Sequence, residues 1–254
     1  MFKALRILIL LFILVNVALA TVLSKWRATD WKEPLRVVVY PINADGSEVS
    51  RRYIADLSDD TFAPIGVFMQ LEADRYQLGQ AEPVRVRLGP SVNVLPPARP
   101  TSGNLLSTMM WSLQLRWWAW RHDEVKGGKP DIRLFVLYHD SATSAVLAHS
   151  LGLEKGLLGV VNVFADRSMA GSNNMVIAHE MLHTLGATDK YDANGLPMYP
   201  DGFAEPIREP RFPQQQAEIM AGRIAISEGK ARIPDSLAEV LVGPATAKEI
   251  HWQQ

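Results

Sequence analysis

The stretch from His179 to Tyr191 constrains this chain more than any other, because it reads His-Glu-Met-Leu-His-Thr-Leu-Gly-Ala-Thr-Asp-Lys-Tyr. His179 and His183 are four residues apart, so on a helix their side chains lie on one face, one turn apart. Two imidazoles in that arrangement can bind one Zn²⁺ with bonds of about 2.0–2.1 Å. Glu180 follows the first histidine, as in the H-E-x-x-H pattern, in which the glutamate moves the protons of the water that the metal activates. The motif therefore predicts a zinc site with Glu180 as its general base.

The residues on either side of the motif predict how the site is built. Ser-Asn-Asn at 172–174 offers N-cap residues ahead of an apolar run, so we expect the helix to begin there. Gly186 accepts the left-handed conformation that commonly ends a helix. Asp189 then follows from the loop, where a carboxylate can serve as the third ligand. Two histidines and one aspartate leave the fourth coordination position open, as in catalytic rather than structural zinc sites.

The longer pattern H-E-x-x-H-x-x-G-x-x-D resembles the metzincin clan of zinc peptidases, in the variant in which Asp replaces the third histidine. It is similar to the snapalysin-type and immune-inhibitor-A-type bacterial proteases, which also carry D-x-Y after the glycine, matched here at 189–191. Glu-Ile-Met-Ala-Gly at 218–222 resembles the methionine turn of metzincins. The resemblance covers roughly residues 157–223, and it departs from the clan in lacking the tyrosine often found just after the methionine.

This resemblance implies an α+β fold of the zincin or metzincin type: a mixed twisted sheet, an active-site helix and an irregular C-terminal subdomain. It also implies a zinc-dependent endopeptidase that hydrolyses peptide bonds in a peptide or protein substrate, with Glu180 as general base and Tyr191 assisting at the oxyanion. Met220 would lie beneath the metal without binding it. The implied metal ligands are His179, His183 and Asp189.

Two alternatives stay open at the level of the sequence. The chain could be a non-catalytic exported binding module, whose zinc only staples the loop after the helix. Glu180 argues against that reading, because a structural staple has no need of a general base. The chain could also be a peptidase with Glu218 as the third ligand, as in glutamate-zincins. The spacing from His183 and the position of Glu218 beside Met220 favour Asp189 instead.

The N-terminus carries an apolar segment that we interpret as a membrane anchor or a signal segment, residues 1–23. Its apolar run continues to Leu23 behind Lys3 and Arg6, and a bilayer span takes about 20 such residues. Ala-Leu-Ala at 18–20 also has the form of a signal-peptidase site. We favour the uncleaved anchor, which predicts a membrane-anchored protein with residues 24–254 as an extracytoplasmic zinc metallopeptidase-like domain. A secreted or periplasmic protein after cleavage is the alternative.

Composition excludes several other classes. The net charge of −1 gives no reason to expect a nucleic-acid partner. The chain has no cysteine, which excludes disulfides and thiolate zinc sites.

Two elements outside the motif leave a choice open. The strand-like segment at 157–164 precedes the predicted zinc helix. It is either the edge strand that pairs with substrate in metzincin-like proteins or an internal strand. The tryptophan-rich helix at 105–122 is either a core helix or one docked at a membrane interface.

Overall fold

The computed structural model describes residues 26–100, 104–125, 128–143 and 147–253, together with six isolated positions nearer the N-terminus: Arg6, Leu11, Phe12, Val15, Leu19 and Leu23. Within this described part of the chain no helix is both long enough and apolar enough to cross a bilayer. The tryptophan-rich helix Leu105–Arg121, for example, has only 17 residues and includes two arginines, whereas a span takes about 20 mainly apolar residues. This finding contradicts the membrane-anchored localisation that we predicted. The segment 1–23 itself lies outside the described residues, apart from those isolated positions.

A five-stranded twisted sheet forms the centre of the fold, in the order β2-β1-β3-β5-β4. Four strands run parallel, and only β4 runs antiparallel to its neighbour β5. The strands are β1 (Leu35–Asn43), β2 (Val84–Leu88), β3 (Ile132–His139), β4 (Leu151–Leu153) and β5 (Leu158–Phe164). Because β5 lies between β3 and β4, the strand predicted at 157–164 is internal, and the edge position on this side belongs to β4.

Helices cover both faces of the sheet, which is why β1 and β3 are apolar almost throughout rather than at alternate residues. On one face, Val37 and Val39 of β1 share a core with residues of α2 and α4, and on the other face Val38 and Tyr40 pack with α3. The helices are α1 (Glu48–Ala55), α2 (Asp59–Arg75), α3 (Leu105–Arg121), α4 (Ala170–Thr184) and α5 (Pro244–Glu249).

The tryptophans of α3 divide between the core and the surface. Trp111 and Trp118 are buried against the sheet, whereas Trp117 and Trp120 are exposed. The helix is therefore a core helix on one side, as one of the two sequence interpretations held, and it presents a second, apolar side outward.

The chain after α4 has little regular structure and packs on the same face of the sheet as α4. Its short strands form two pairs: β6 (Ala217–Glu218) with β9 (Val240–Leu241), and β7 (Ile224–Ser227) with β8 (Lys230–Arg232). The indole of Trp31 donates a hydrogen bond of 2.7 Å to the carbonyl of Ile250, so the two ends of the domain meet. The whole is a mixed α/β structure with a mostly parallel twisted sheet, compatible with the predicted α+β class.

Candidate metal centre

Helix α4 begins before the residues that we predicted as its caps. Asp166 caps a short 3₁₀ turn, and the helix continues from Ala170, so the segment 172–174 lies inside it. The amide of Asn173 instead donates to the carbonyl of Phe164 at 2.8 Å, which attaches the helix to the end of β5. Asn174 likewise donates to the carbonyl of Thr61 in α2 at 2.8 Å. These asparagines orient the helix rather than start it, because Asp166 already caps the turn that leads into it.

The end of α4 follows the prediction. Gly186 has a φ of 107°, in the left-handed region that favours glycine. The turn is closed by a hydrogen bond of 3.1 Å from the N–H of Ala187 to the carbonyl of Leu182. It also brings the carbonyl of Ala187 to 2.8 Å from Nδ1 of His183. The glycine therefore sets the orientation of a histidine ring as well as the end of the helix.

Both histidines are held by backbone carbonyls on the side away from the site. Nδ1 of His179 lies 2.8 Å from the carbonyl of Ile219, and Nδ1 of His183 has the same distance to the carbonyl of Ala187. A carbonyl oxygen can only accept, so each Nδ1 must carry the hydrogen. In the neutral rings, Nε2 is then a free lone pair on the other side, as a metal ligand requires.

Three lone-pair atoms converge in front of these rings. Nε2 of His179 and Nε2 of His183 are 3.0 Å apart, and Oδ1 of Asp189 lies 3.3 Å from the first and 3.0 Å from the second. Three acceptors at such distances repel one another unless a cation lies between them. A tetrahedral site with bonds of about 2.0–2.1 Å separates its ligand atoms by about 3.3–3.4 Å. The triangle is thus close to the size that a small tetrahedral cation needs. His179, Glu180 and His183 also form a group that could hold a metal ion, because their ligand atoms lie within 4.8 Å of one another.

Glu180 lies beside this triangle with part of its carboxylate unpaired. The side chain is buried and lies beside the backbone N–H of Gly152 in β4, which partly opposes the effect of burial on its pKa. Its Oε2 has no hydrogen-bond partner among the described residues. Burial raises the pKa of Glu180, and the nearby histidines only partly oppose that rise. A buried carboxylate oxygen without a hydrogen-bond partner is costly. This oxygen therefore indicates a position at which a water molecule or a ligand binds.

The carboxylate of Asp189 shifts the pKa values of the groups around it. Burial alone would lower the pKa of His183, but a proton on its Nε2 would be donated to Asp189, and this bond together with the one from Nδ1 to the carbonyl of Ala187 outweighs burial and raises that pKa. Burial likewise opposes ionisation of Asp189, yet the hydrogen bonds that the two histidines would donate when protonated hold its pKa well below the usual range. Burial, followed by the charge of Asp189, raises the pKa of Tyr191 to about 12. The site therefore favours a positive charge at its centre.

Two cavities meet at the candidate site and give it access to solvent. A largely apolar cavity of about 830 Å³ includes His179, Glu180 and Tyr191 in its lining, with walls from α4 and from the loops after it. A second, more polar cavity opens beside β4 and shares His149, Ser150, Glu180 and Tyr191 with the first. The second cavity is also lined by Arg99, Leu151, Gly152, His183 and Asp189.

The predicted methionine turn supports the site from below through its backbone. Met220 is fully buried, and the preceding carbonyl, that of Ile219, is the partner of His179 described above. Glu218 holds this turn: its Oε2 accepts from the N–H groups of Met220 and Ala221 at 2.7 and 3.0 Å. Its Oε1 accepts from Gly243 N–H at 3.1 Å and from the Thr246 hydroxyl at 2.6 Å. With both oxygens occupied in this way, Glu218 is a structural group of the turn.

The structure thus brings together all five residues that the motif singled out: His179, Glu180, His183, Asp189 and Tyr191. Sequence reasoning missed Gly152, the carbonyl of Ile219 and the residues that hold the Asp189 loop, since nothing local marks them. The structure also places His149, which lies outside the motif, in the lining of the cleft. No protein-family model matches the chain, and no curated protein shows significant similarity to it. The resemblance to metzincins therefore rests on the sequence motif alone.

Proposed function

We propose that this chain is a zinc-dependent endopeptidase of metzincin-like fold, with His179, His183 and Asp189 as the metal ligands. The observation that carries the proposal is the buried, unpartnered Oε2 of Glu180 beside three converging lone pairs. A site that only bound a structural metal would gain nothing from such a carboxylate. For the same reason the alternative of a zinc-stapled binding module is the weaker one.

Zinc suits the donor set better than the other common divalent ions. Two imidazole nitrogens and one carboxylate in a tetrahedral arrangement are typical of catalytic zinc, whereas calcium and magnesium prefer sites built from oxygen alone. When bound, zinc would make a water molecule nucleophilic at neutral pH and polarise the carbonyl of the peptide. Asp189 is favoured over Glu218 as the third ligand, because its Oδ1 lies beside both histidines while both oxygens of Glu218 are bound elsewhere.

In this mechanism Glu180 carries the proton. Its free oxygen takes a proton from the attacking water and delivers it to the leaving amine as the peptide bond breaks. Because the pKa of Glu180 is raised, it lies closer to neutral pH than that of an ordinary carboxyl group, which helps both the uptake and the release of the proton. The backbone N–H of Gly152 lies beside the carboxylate and favours its charged form, in which it can take up a proton. Tyr191, with a pKa near 12, stays protonated at neutral pH and can donate a hydrogen bond to the developing oxyanion.

The surroundings of the site suit an extended peptide. Strand β4 lies at the edge of the described sheet and passes directly over Glu180, so a substrate strand added there would gain main-chain hydrogen bonds. The apolar cavity next to Glu180 can then take an apolar side chain of the same substrate.

The test is the substitution Glu180→Gln, which keeps the size of the side chain and removes its basicity. We expect the variant to bind zinc with the stoichiometry of the wild type and to lose about 10²–10⁴-fold in the rate of peptide hydrolysis, as for a lost general base. Zinc content is measured on the purified full chain, and cleavage on a diverse peptide library, because the preferred sequence is not known in advance. Wild-type activity should disappear with a chelator and return with zinc.

Glu228→Gln is the control, since it makes the same chemical change in the exposed turn between β7 and β8. It should cleave the library at the wild-type rate. If Glu180→Gln and the wild type cleave the library equally, Glu180 is not the general base. If neither cleaves any peptide with zinc fully bound, the binding-module alternative takes the place of the peptidase.

A further inference from the structure

The two residues that flank Asp189 are held by a carboxylate from the far end of the chain. Glu249, the last residue of α5, accepts a hydrogen bond from the backbone N–H of Thr188 at 2.9 Å and another from its hydroxyl at 2.7 Å. The carboxylate oxygens of Glu249 also accept bonds of 2.8 Å from the ammonium group of Lys190. Asp189 therefore lies between the two residues that Glu249 binds.

Lys190 is the second part of this arrangement. It is only 5% exposed, and a buried ammonium group is costly unless it is paired and fully hydrogen-bonded. In addition to Glu249, it donates to the carbonyl of Thr188 at 2.9 Å and to its hydroxyl at 2.7 Å. The ammonium group thus ties the residue after Asp189 to the residue before it, which fixes the backbone on both sides of the carboxylate.

The same loop is connected to the first histidine through the methionine turn. The N–H of Lys190 donates to the carbonyl of Met220 at 2.9 Å, and Met220 follows Ile219, whose carbonyl orients His179. Asp189 itself is 43% exposed at its side chain, so burial does not impose its orientation. The contacts on its backbone have to do so.

From these contacts we propose that Glu249 and Lys190 are positioning residues, which hold the carboxylate of Asp189 against the two histidines and so set the affinity of the site for zinc. The inference rests on the proposed role of Asp189 as the third ligand. A ligand that is already in place loses less conformational freedom when the metal binds, and partners behind metal ligands commonly control affinity in this way. Glu249 lies outside the stretch 157–223 that resembles metzincins, so this support comes from the C-terminal segment of the chain.

The test is Glu249→Gln in two backgrounds, with zinc affinity of the full chain measured by competition with a chromophoric chelator. In the wild-type background we expect the affinity to fall about 10–100-fold. In the Asp189→Asn background, where the proposed ligand is already altered, the same substitution should change the affinity by about two-fold or less. This difference separates an effect through Asp189 from a general loss of structure.

Glu239→Gln is the matched control. Its carboxylate has a similar exposure, 32% against 29% for Glu249, and binds an arginine and a backbone N–H. This variant should keep the wild-type affinity. Because Glu249→Gln leaves the ammonium of Lys190 without its counter-charge, the pair Lys190→Met with Glu249→Leu is measured as well. Removing both charges together avoids that penalty, and we expect this double variant to remain folded and to bind zinc more weakly.

Equal losses in the two backgrounds would overturn the positioning role, and so would an unchanged affinity of Glu249→Gln in the wild-type background. If Asp189→Asn alone binds zinc as tightly as the wild type, Asp189 is not a ligand and the inference falls with it. A chain that shows the expected pattern of affinities but cleaves no peptide would keep the positioning role and overturn only the proposed peptidase activity.

Discussion

At the scale of single residues, the site is a balance between two imidazoles and two carboxylates. Nδ1 of each histidine is occupied by a backbone carbonyl, so the only lone pairs of the rings point at Asp189 and at each other. Asp189 turns this arrangement into a site for a cation, since its carboxylate, mainly as a hydrogen-bond acceptor, raises the pKa of His183 against the opposing effect of burial. A proton and a metal ion therefore compete for the same place.

The pH dependence of metal binding follows from that competition. The pKa of His183 is raised above its ordinary value of 6.5. Acidification should therefore begin to weaken zinc binding at a higher pH than it would if His183 had that ordinary pKa. Asp189→Asn removes the carboxylate whose hydrogen bond does most to raise this pKa, so the zinc affinity of the variant should begin to fall at a lower pH than that of the wild type. The measurement is the zinc dissociation constant between about pH 8 and 5.5, covering the histidine range.

The stability of the metal-free protein should change with pH in the opposite direction to zinc binding, because acidification favours the folded state. A raised pKa of His183 stabilises the folded state below the unfolded value of 6.5, and this contribution is lost as pH rises through the folded value. Identical pH profiles for zinc binding by the wild type and Asp189→Asn would contradict the role assigned to Asp189.

At the scale of elements, the site depends on how closely β4 passes over α4. Gly152 lies so near the helix that a Cβ on it would overlap the carbonyl of Glu180 and the Cβ of His183. Only glycine permits this approach, which brings the backbone of β4 next to Glu180, where the N–H of Gly152 favours the charged form of the carboxylate.

Gly152→Ala is therefore expected to push β4 away from α4. Overpacking of this kind typically costs about 1–3 kcal/mol, and the loss should appear as a lower melting temperature together with reduced peptide cleavage. Gly229→Ala is the matched control, because a Cβ at Gly229 meets nothing within 4 Å. Equal melting temperatures for the two variants would show that β4 can retreat at no cost and that its close approach is not needed.

At the scale of the whole molecule, the candidate centre joins parts of the fold that come from distant regions of the chain. The histidines lie on α4, Asp189 lies on the loop behind it, and the methionine turn and α5 support both. The unfolded chain has no such arrangement, so a metal that binds the site binds mainly the folded state.

Zinc should therefore raise the melting temperature of the full chain. At a free concentration of about 100 times the dissociation constant, the stabilisation is about 2.7 kcal/mol, which corresponds to an increase of about 5–10 °C for a protein of this size. Differential scanning calorimetry with and without zinc measures the shift. Magnesium should produce almost none, since it prefers oxygen ligands, and His179→Ala should abolish the response to zinc. A shift that survives in His179→Ala would place the stabilising metal elsewhere.

What could be predicted from the sequence is what depends on neighbouring residues. Helical spacing puts His179 and His183 on one face, and the conformational freedom of Gly186 allows the turn that presents Asp189. Both features are local, and the structure agrees with both. The strand predicted at 157–164 is also present, as β5, since a strand covered on both faces is mostly apolar along its length. The prediction of a membrane-anchored localisation was wrong, because no helix in the described part of the chain is long enough and apolar enough to cross a bilayer.

Only the tertiary structure decided the order of the strands and the surroundings of the site. It made β5 internal and β4 the edge strand, and it turned the predicted cap residues of α4 into contacts with β5 and α2. It also brought Ile219 to His179 across 40 residues and Glu249 to Thr188 across 61. Such pairs leave no local pattern, because a hydrogen bond between distant residues depends on how the whole chain folds back rather than on the residues beside it.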